Sequence, residues 1–516
     1  MEQLRRRWRN ALKTRGRLFL ASIMALVLLS SGCAAHEPSD APAEVIDAAR
    51  AQSLISAWEE QVDGAAELGW TPCPDAPEFD CGRLEVPLNW SDPVGDTTRI
   101  AVRKLSPASD NAPVLLILPG GPGQSGTELL TDLFDAGAHP EVAEQYTLIS
   151  LDPRGVTGLQ AADLPLDCPT QAQECAPSEA LSRFASTTDV ALDIEHLRGA
   201  VNADQIRILG YSYGTYTGAL YGTLFTDHVA YAVFDGAAVA IGFSPLGYER
   251  QAIAFEDALD RFLGACVVGE LGSCPFTGDV AEAKAQLLQL RALLAQQPLL
   301  EDSGDTDGVI DGDTVTQHLL ATFYGPRSGW AGTAGWLLEV QSASAEAQLR
   351  DTGQAGESDR EEQGESHDAD ELSVPARLSH AVICAMPDAA SSQDPEAGVE
   401  PLDGDDFFFV PDSATSADID AAAHACASGL PAHLDTRIRA EDGRKYLVTS
   451  VLGDPATPYT DAATLADALG AFLLPVEGEG HTSVLGQSPC ATQISMAFLA
   501  NGELPAAGTT CAGSAS

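Results

Sequence analysis

The sequence predicts an α/β fold: a mostly parallel sheet with helices on both faces, split by a largely helical insertion. Three observations predict it. Short, continuous apolar runs at 114–118, 146–151, 206–209 and 229–234 are each bounded by Gly, Pro or Asp, as expected of strands buried on both faces of a parallel sheet. Helical stretches, notably 189–201, lie between these runs, and strands alternating with helices define the class. The rhythm breaks after Gly236 and resumes near Lys445, so one sheet is interrupted by a long insertion.

The elements follow in order. Residues 1–33 read as a targeting segment: Arg5, Arg6, Arg7, Arg9, Lys13, Arg15 and Arg17 precede an apolar stretch at 18–29 that is short for a membrane span. It ends in Leu29-Ser30-Ser31-Gly32-Cys33, which resembles a bacterial lipobox with Ser30 where Leu is usual. The resemblance implies export, lipidation of Cys33 and anchoring on the outer side of the cell membrane, with release as a secreted protein the alternative. Residues 34–70 read as a tether and an amphipathic helix over 45–61. Residues 71–239 form the first part of the core, opening with alternating strands at 82–88 and 98–103 around a polar turn at 92–96, the pattern of a hairpin.

The insertion spans 240–437, with helices expected at 255–262, 280–296, 314–323 and 330–349. Its acidic stretch at 351–372 holds almost no apolar residue and is expected to be a disordered loop. A second acidic stretch, 302–313, lacks the closing Glu of a calcium loop and reads as a polar hairpin. Residues 438–516 complete the core, with strands at 445–452 and 472–476 and a helix between them. A helical insertion between two parts of one sheet is expected to cap a catalytic face.

Composition narrows the function. Asp and Glu outnumber Lys and Arg by 75 to 28, a formal charge of −47, which repels nucleic-acid phosphates. Nucleic acid is therefore excluded as a partner, and the charge reads as a solubilising surface. Setting Cys33 aside leaves ten cysteines: Cys73, Cys81, Cys168, Cys175, Cys266, Cys274, Cys384, Cys426, Cys490 and Cys511. Short loops close easily, so sequential pairing is expected, 73–81, 168–175, 266–274, 384–426 and 490–511, although sequence alone leaves connectivity open. No Cys-x-x-Cys or spaced Cys/His cluster is present, so no metal is expected.

The chemistry centres on Gly210-Tyr211-Ser212-Tyr213-Gly214. An apolar strand precedes this Gly-x-Ser-x-Gly and a helix rich in small residues follows it, as a nucleophile on a sharp strand-to-helix turn requires. Ser212 at a helix N-terminus also gains from the helix dipole as negative charge develops. Pro119-Gly120-Gly121-Pro122-Gly123 leaves the run at 114–118 and can present backbone N–H groups to an oxyanion. The expected donors are Gly121 and Tyr213, with Gly120 as the alternate. His481, on a Gly-flexed loop past the strand at 472–476, is the candidate general base. Asp454, past the strand at 445–452, is the candidate acid, although Asp-Pro here also suits a plain turn. Ser, Asp, His is the chain order this kind of fold uses. Asp235, one strand earlier, is the rival acid.

Taken together, Pro119-Gly120-Gly121-Pro122-Gly123, Asp152-Pro153-Arg154-Gly155, Gly210-Tyr211-Ser212-Tyr213-Gly214-Thr215-Tyr216, Phe234-Asp235-Gly236, Gly453-Asp454-Pro455-Ala456-Thr457-Pro458 and Gly480-His481-Thr482-Ser483 resemble the secreted tripeptidyl aminopeptidase group. These are prolyl-aminopeptidase-like serine peptidases of the α/β-hydrolase fold. The resemblance implies a TAP-like C-terminal domain from about residue 384, carrying Asp454 and His481, and a Ser-His-Asp acyl-enzyme mechanism without a cofactor. It implies peptide or protein N-termini as substrates, with tripeptides released. Carboxylesterase or lipase activity with the same triad is the alternative, since some members of the group are esterases.

Overall fold

In a computed structural model of the chain, the structure describes residues 44–62, 68–107, 112–137, 139–156, 186–239, 245–301, 308–353, 408–409, 434–435, 438–440 and 442–513. The targeting segment with Cys33, the acidic stretch beyond Gly353, and Cys168, Cys175, Cys384 and Cys426 lie outside the described residues.

The strands are β1 (Glu44–Val45), β2 (Thr71–Pro72), β3 (Asp80–Pro87), β4 (Thr97–Leu105), β5 (Val114–Leu118), β6 (Thr147–Leu151), β7 (Ile206–Tyr211), β8 (Val229–Asp235), β9 (Leu299–Glu301), β10 (Gly308–Ile310), β11 (Leu434–Asp435), β12 (Tyr446–Gly453) and β13 (Phe472–Glu479). The helices are α1 (Ala48–Gln61), α2 (Gly126–Phe134), α3 (Pro140–Ala143), α4 (Thr187–Ala200), α5 (Tyr213–Leu224), α6 (Pro245–Val267), α7 (Val280–Gln296), α8 (Gly312–Tyr324), α9 (Trp330–Gly353), α10 (Tyr459–Leu469) and α11 (Pro489–Asn501).

Among the described residues, nine strands form one sheet in the order β13-β12-β8-β7-β5-β6-β4-β3-β2. From β13 to β6 every neighbouring pair is parallel, and β4, β3 and β2 add an antiparallel edge. The apolar runs are continuous because successive side chains enter opposite faces. Leu116, Leu118, Ile208, Phe234 and Val448 join one core, with α1, α4, α5 and α10. Leu115, Ile117, Leu209, Val233 and Leu447 join the other, with α2 and α11.

The insertion packs its own core from α6, α7, α8 and α9, including Phe262, Leu287, Phe323 and Trp330, and Ala456 of the main domain joins this cluster. Strands β9 and β10 pair antiparallel; of the stretch expected to be a polar hairpin, 302–307 lie outside the described residues and Asp311–Asp313 cap and open α8. Helix α1, where an amphipathic helix is expected at 45–61, packs on the main core. Its Ala51, Leu54, Ile55 and Trp58 are buried in the main core, and the Trp58 indole N–H donates to His196 Nε2 at 3.1 Å. Among the described residues, three disulfides join Cys73 to Cys81, Cys266 to Cys274 and Cys490 to Cys511.

Candidate active site

Ser212 sits between the last residue of β7 and the first of α5, with φ 52° and ψ −124°. A non-glycine residue in such a conformation carries about 1–3 kcal/mol of strain, so its surroundings must hold it. Its N–H donates to the Asp235 carbonyl at 3.0 Å. Its carbonyl accepts the Thr215 N–H at 2.9 Å and the Thr215 hydroxyl at 2.6 Å. The flanking glycines are sterically forced: a Cβ on Gly210 would lie 2.7 Å from the Gly214 carbonyl oxygen, and one on Gly214 would lie 2.5 Å from that of Leu118. Ser212 stays partly exposed while Tyr211 and Tyr213 are buried. Tyr213 is anchored by its hydroxyl, 2.7 Å from that of Thr187.

The Gly-rich loop after β5 backs directly onto this turn, since a Cβ on Gly120 would sit 3.1 Å from Ser212 Cβ. The Gly120 N–H donates to Gln124 Oε1 at 3.0 Å, which engages the alternate oxyanion donor and leaves Gly121 as the loop's candidate. Gly121 has φ 104°, and a Cβ there would meet Gly123 N at 2.7 Å. Tyr213 opens α5, in the first turn where N–H groups have no helical acceptor. Below the loop, Asp152 Oδ1 accepts the Ser125 hydroxyl at 2.8 Å and the Thr127 N–H at 2.9 Å. Burial pushes the Asp152 carboxyl up against those hydrogen bonds. Gln124 and Asp152 are supports that sequence reasoning missed, although Asp152 stands in a motif it quoted.

His481 and Asp454 meet on the other side. His481 Nδ1–H donates to Asp454 Oδ2 at 2.8 Å. Asp454 Oδ1 accepts the N–H groups of Ala456 and Thr457 at 2.9 and 3.0 Å, and Oδ2 accepts the Thr457 hydroxyl at 3.0 Å. The turn-forming role that Asp-Pro suggested is real, and the same carboxylate also takes the imidazole. His481 Nε2 is buried and has no hydrogen-bond partner among the described residues. Burial alone would lower the His481 pKa, but the charge and hydrogen bond of Asp454, with the charge of Asp235, outweigh it and raise it. Gly236 leaves room for the ring: a Cβ there would lie 2.8 Å from His481 Cε1.

Asp235 does not touch the imidazole nitrogens. Its carboxylate accepts from Ser483 and Val484 in the loop just beyond His481, so the acid on Nδ1 is Asp454.

The insertion closes over these loops. The His481 N–H donates to the Tyr324 carbonyl at 3.0 Å, and the Tyr324 ring stands edge-on to the imidazole at 5.3 Å between centroids. Helix α6 reaches the same region through Arg250 to Asp461 at 3.0 Å and Arg261 to Glu479 at 2.8 Å, while Gln251 donates to the Ala456 carbonyl. The insertion and the loops carrying Asp454 and His481 thus pack against each other.

A hydroxyl on a strained elbow, a Gly-rich loop behind it and an imidazole aligned by a carboxylate can together carry out nucleophilic acyl transfer. Comparison with known proteins agrees with that chemistry. A family model described as alpha/beta hydrolase fold matches residues 113–273, which include Ser212 and Asp235. A second, described as TAP-like protein, matches 416–511, which include Asp454 and His481. The chain is 26% identical over 491 residues to the serine protease Hip1 of Mycobacterium tuberculosis, covering 86% of this chain and 90% of that protein. It is 29% identical over 335 residues to the tripeptidyl aminopeptidase of Streptomyces lividans, covering 57% and 58%. It is 28% identical over 469 residues to a Mycobacterium tuberculosis carboxylesterase B, covering 84% and 86%.

Proposed function

Given that the chain is an α/β-hydrolase with a TAP-like C-terminal segment, we propose that it is an exported serine exopeptidase that releases short peptides, tripeptides foremost, from free N-termini. Ser212 is the nucleophile, His481 the general base and Asp454 the orienting acid. The observation that carries the serine-hydrolase part of this reading is the bond between His481 Nδ1 and Asp454 Oδ2 at 2.8 Å, with the buried Nε2 left without a hydrogen-bond partner among the described residues.

The mechanism follows from those atoms. His481 Nε2 takes the Ser212 Oγ proton as Oγ attacks the substrate carbonyl. The N–H groups of Gly121 and Tyr213 hold the resulting oxyanion, each donor contributing about 2.7–4 kcal/mol where such sites have been dissected by mutation. The imidazolium then protonates the leaving amine, and a water activated by the same nitrogen deacylates Ser212. Asp454 stays ionised throughout.

The peptidase reading is supported by the likeness to proteins named as a serine protease and a tripeptidyl aminopeptidase. Ester hydrolysis by the same triad is the second reading, favoured by the likeness to carboxylesterase B. Export fits the Arg-rich N-terminus and the three disulfides, which persist in oxidising compartments. Lipidation at Cys33 would then hold the enzyme at the outer face of the membrane.

Hydrolysis of paired chromogenic substrates tests the assignment. An exopeptidase must hold a free α-ammonium with carboxylates, and leaving a desolvated charge unpaired costs about 3–5 kcal/mol. A free tripeptidyl anilide should therefore be cleaved at least ~10²-fold faster than its N-acetylated form. Equal rates, or hydrolysis confined to acyl esters, would move the assignment to the esterase.

A further inference from the structure

The loop that carries His481 is held in an unusual shape. Thr482 has φ 63° and Leu485 φ 56°, both in the left-handed region, and Gly480 has φ 105°. For a β-branched residue such as Thr that conformation is an outlier, so the surroundings must impose it. Asp235 is at the centre of what does so. It is fully buried, and its Oδ2 accepts the N–H groups of Ser483 at 2.6 Å and Val484 at 2.7 Å, while Oδ1 accepts the Ser483 hydroxyl at 3.0 Å. Tyr211 adds a bond from its hydroxyl to the Val484 carbonyl at 3.1 Å. On its other side, the Asp235 backbone carbonyl accepts the Ser212 N–H at 3.0 Å. The segment continues the link, since the Ala238 N–H donates to the Thr215 hydroxyl, which itself donates to the Ser212 carbonyl.

Building on the triad reading above, we propose that Asp235 is a positioning residue that couples nucleophile to base: its main chain fixes the Ser212 turn while its carboxylate fixes the strained loop that presents His481. Two consequences separate this from a filler carboxylate. The bonds set where the imidazole stands, and the charge raises the affinity of His481 for its proton. Burial pushes the Asp235 carboxyl itself up to about 6, against its hydrogen bonds from Ser483 and Val484 and the His481 charge. The titratable groups facing this loop are His481 itself, Asp454 on the β12 turn, Tyr211 at the end of β7, Tyr324 at the end of α8, and His139, whose Nε2 lies 3.1 Å from the Leu485 carbonyl. Glu479 nearby is already paired with Arg261.

The test uses the full-length enzyme and the rate at which a fluorophosphonate labels Ser212, a readout that does not depend on whether peptides or esters are the substrate. Asp235→Asn keeps an oxygen for both amide N–H groups and a donor for the Ser483 hydroxyl, but removes the charge. It should label within about tenfold of the wild type at its optimum, with the acid-side midpoint of the pH–rate profile moved to lower pH, because an anion that favoured the imidazolium is gone. Asp235→Ala removes every acceptor and should label roughly 10²-fold more slowly, the scale expected when a catalytic group shifts by about 1 Å. Should the Ala variant fail to fold, the midpoint of the Asn variant decides. An unmoved midpoint in Asp235→Asn, or wild-type labelling by a folded Asp235→Ala, overturns the proposal. Wild-type enzyme that takes no label at Ser212 overturns the triad reading and this proposal with it.

Discussion

Asp454 gives one carboxylate oxygen to the backbone of its own turn and shares the other between His481 and the Thr457 hydroxyl. Oδ1 is filled by the N–H groups of Ala456 and Thr457, and Oδ2 accepts from the imidazole Nδ1 at 2.8 Å. In Asp454→Asn the amide oxygen must remain on the two backbone donors, which turns the NH2 group toward Nδ1. That forces the proton onto Nε2, the wrong tautomer for accepting one from Ser212. The variant should lose roughly 10⁴ in kcat, the magnitude expected of a tautomer reversal, with KM little changed. Steady-state kinetics on the best substrate check it, and a loss smaller than that of Asp235→Asn would reassign the acid.

The pH dependence has a definite sign. His481 is raised above its ordinary 6.5, and catalysis needs its neutral form, so kcat/KM should climb through an acid-limb inflection above 6.5. The stability contribution runs the other way. A group whose folded pKa is raised stabilises the fold fully below its unfolded value and loses that contribution as pH rises through the folded value. Urea melts of wild type and His481→Gln should therefore converge as pH rises. An inflection below 6.5 would contradict this.

Gly214→Ala should damage activity more than stability. Its Cβ would meet the Leu118 and Pro119 carbonyl oxygens at 2.5 and 2.6 Å, backbone atoms that cannot swing aside. Overpacking of this kind costs about 1–3 kcal/mol, and relief comes only by moving the Gly-rich loop or the Ser212 turn. Thermal melts alongside turnover separate the two effects; full activity would show that the elbow tolerates a side chain.

The Cys490–Cys511 disulfide pins the C-terminal tail to α11, and the tail in turn hydrogen-bonds β13 through Cys511 N–H to Pro475 O at 2.9 Å and Glu477 N–H to Cys511 O at 2.8 Å. Replacing both cysteines with Ser should cost about 2–4 kcal/mol, measurable in denaturant melts. An unchanged midpoint would mean that the tail's hydrogen bonds hold it unaided.

The sheet could be read from the sequence because strands buried on both faces are continuous apolar runs, and the Ser212 turn because its glycines are sterically demanded. Helix α6 was legible only in its middle. The expected 255–262 covers its apolar face, whereas Arg250 and Gln251 in its first turns reach across to Asp461 and Ala456 and so leave no apolar period. Helix α1 was legible as an amphipathic helix, but not what it packs on, because its buried partner, His196, lies 138 residues away. The sequence favoured Asp454 over Asp235 as the acid, but the part that Asp235 plays was not legible. Both follow strands that pair with each other in β12 and β8, and only the bonds to His481 and to Ser483 tell their parts apart.

The most direct test of the central claim is peptide mapping of the enzyme after reaction with a fluorophosphonate. A single adduct on Ser212 is expected, absent from Ser212→Ala, and that variant should keep its fold while losing on the order of 10⁶ in kcat. An adduct on another serine, or a folded Ser212→Ala enzyme that still turns over substrate, would contradict the account.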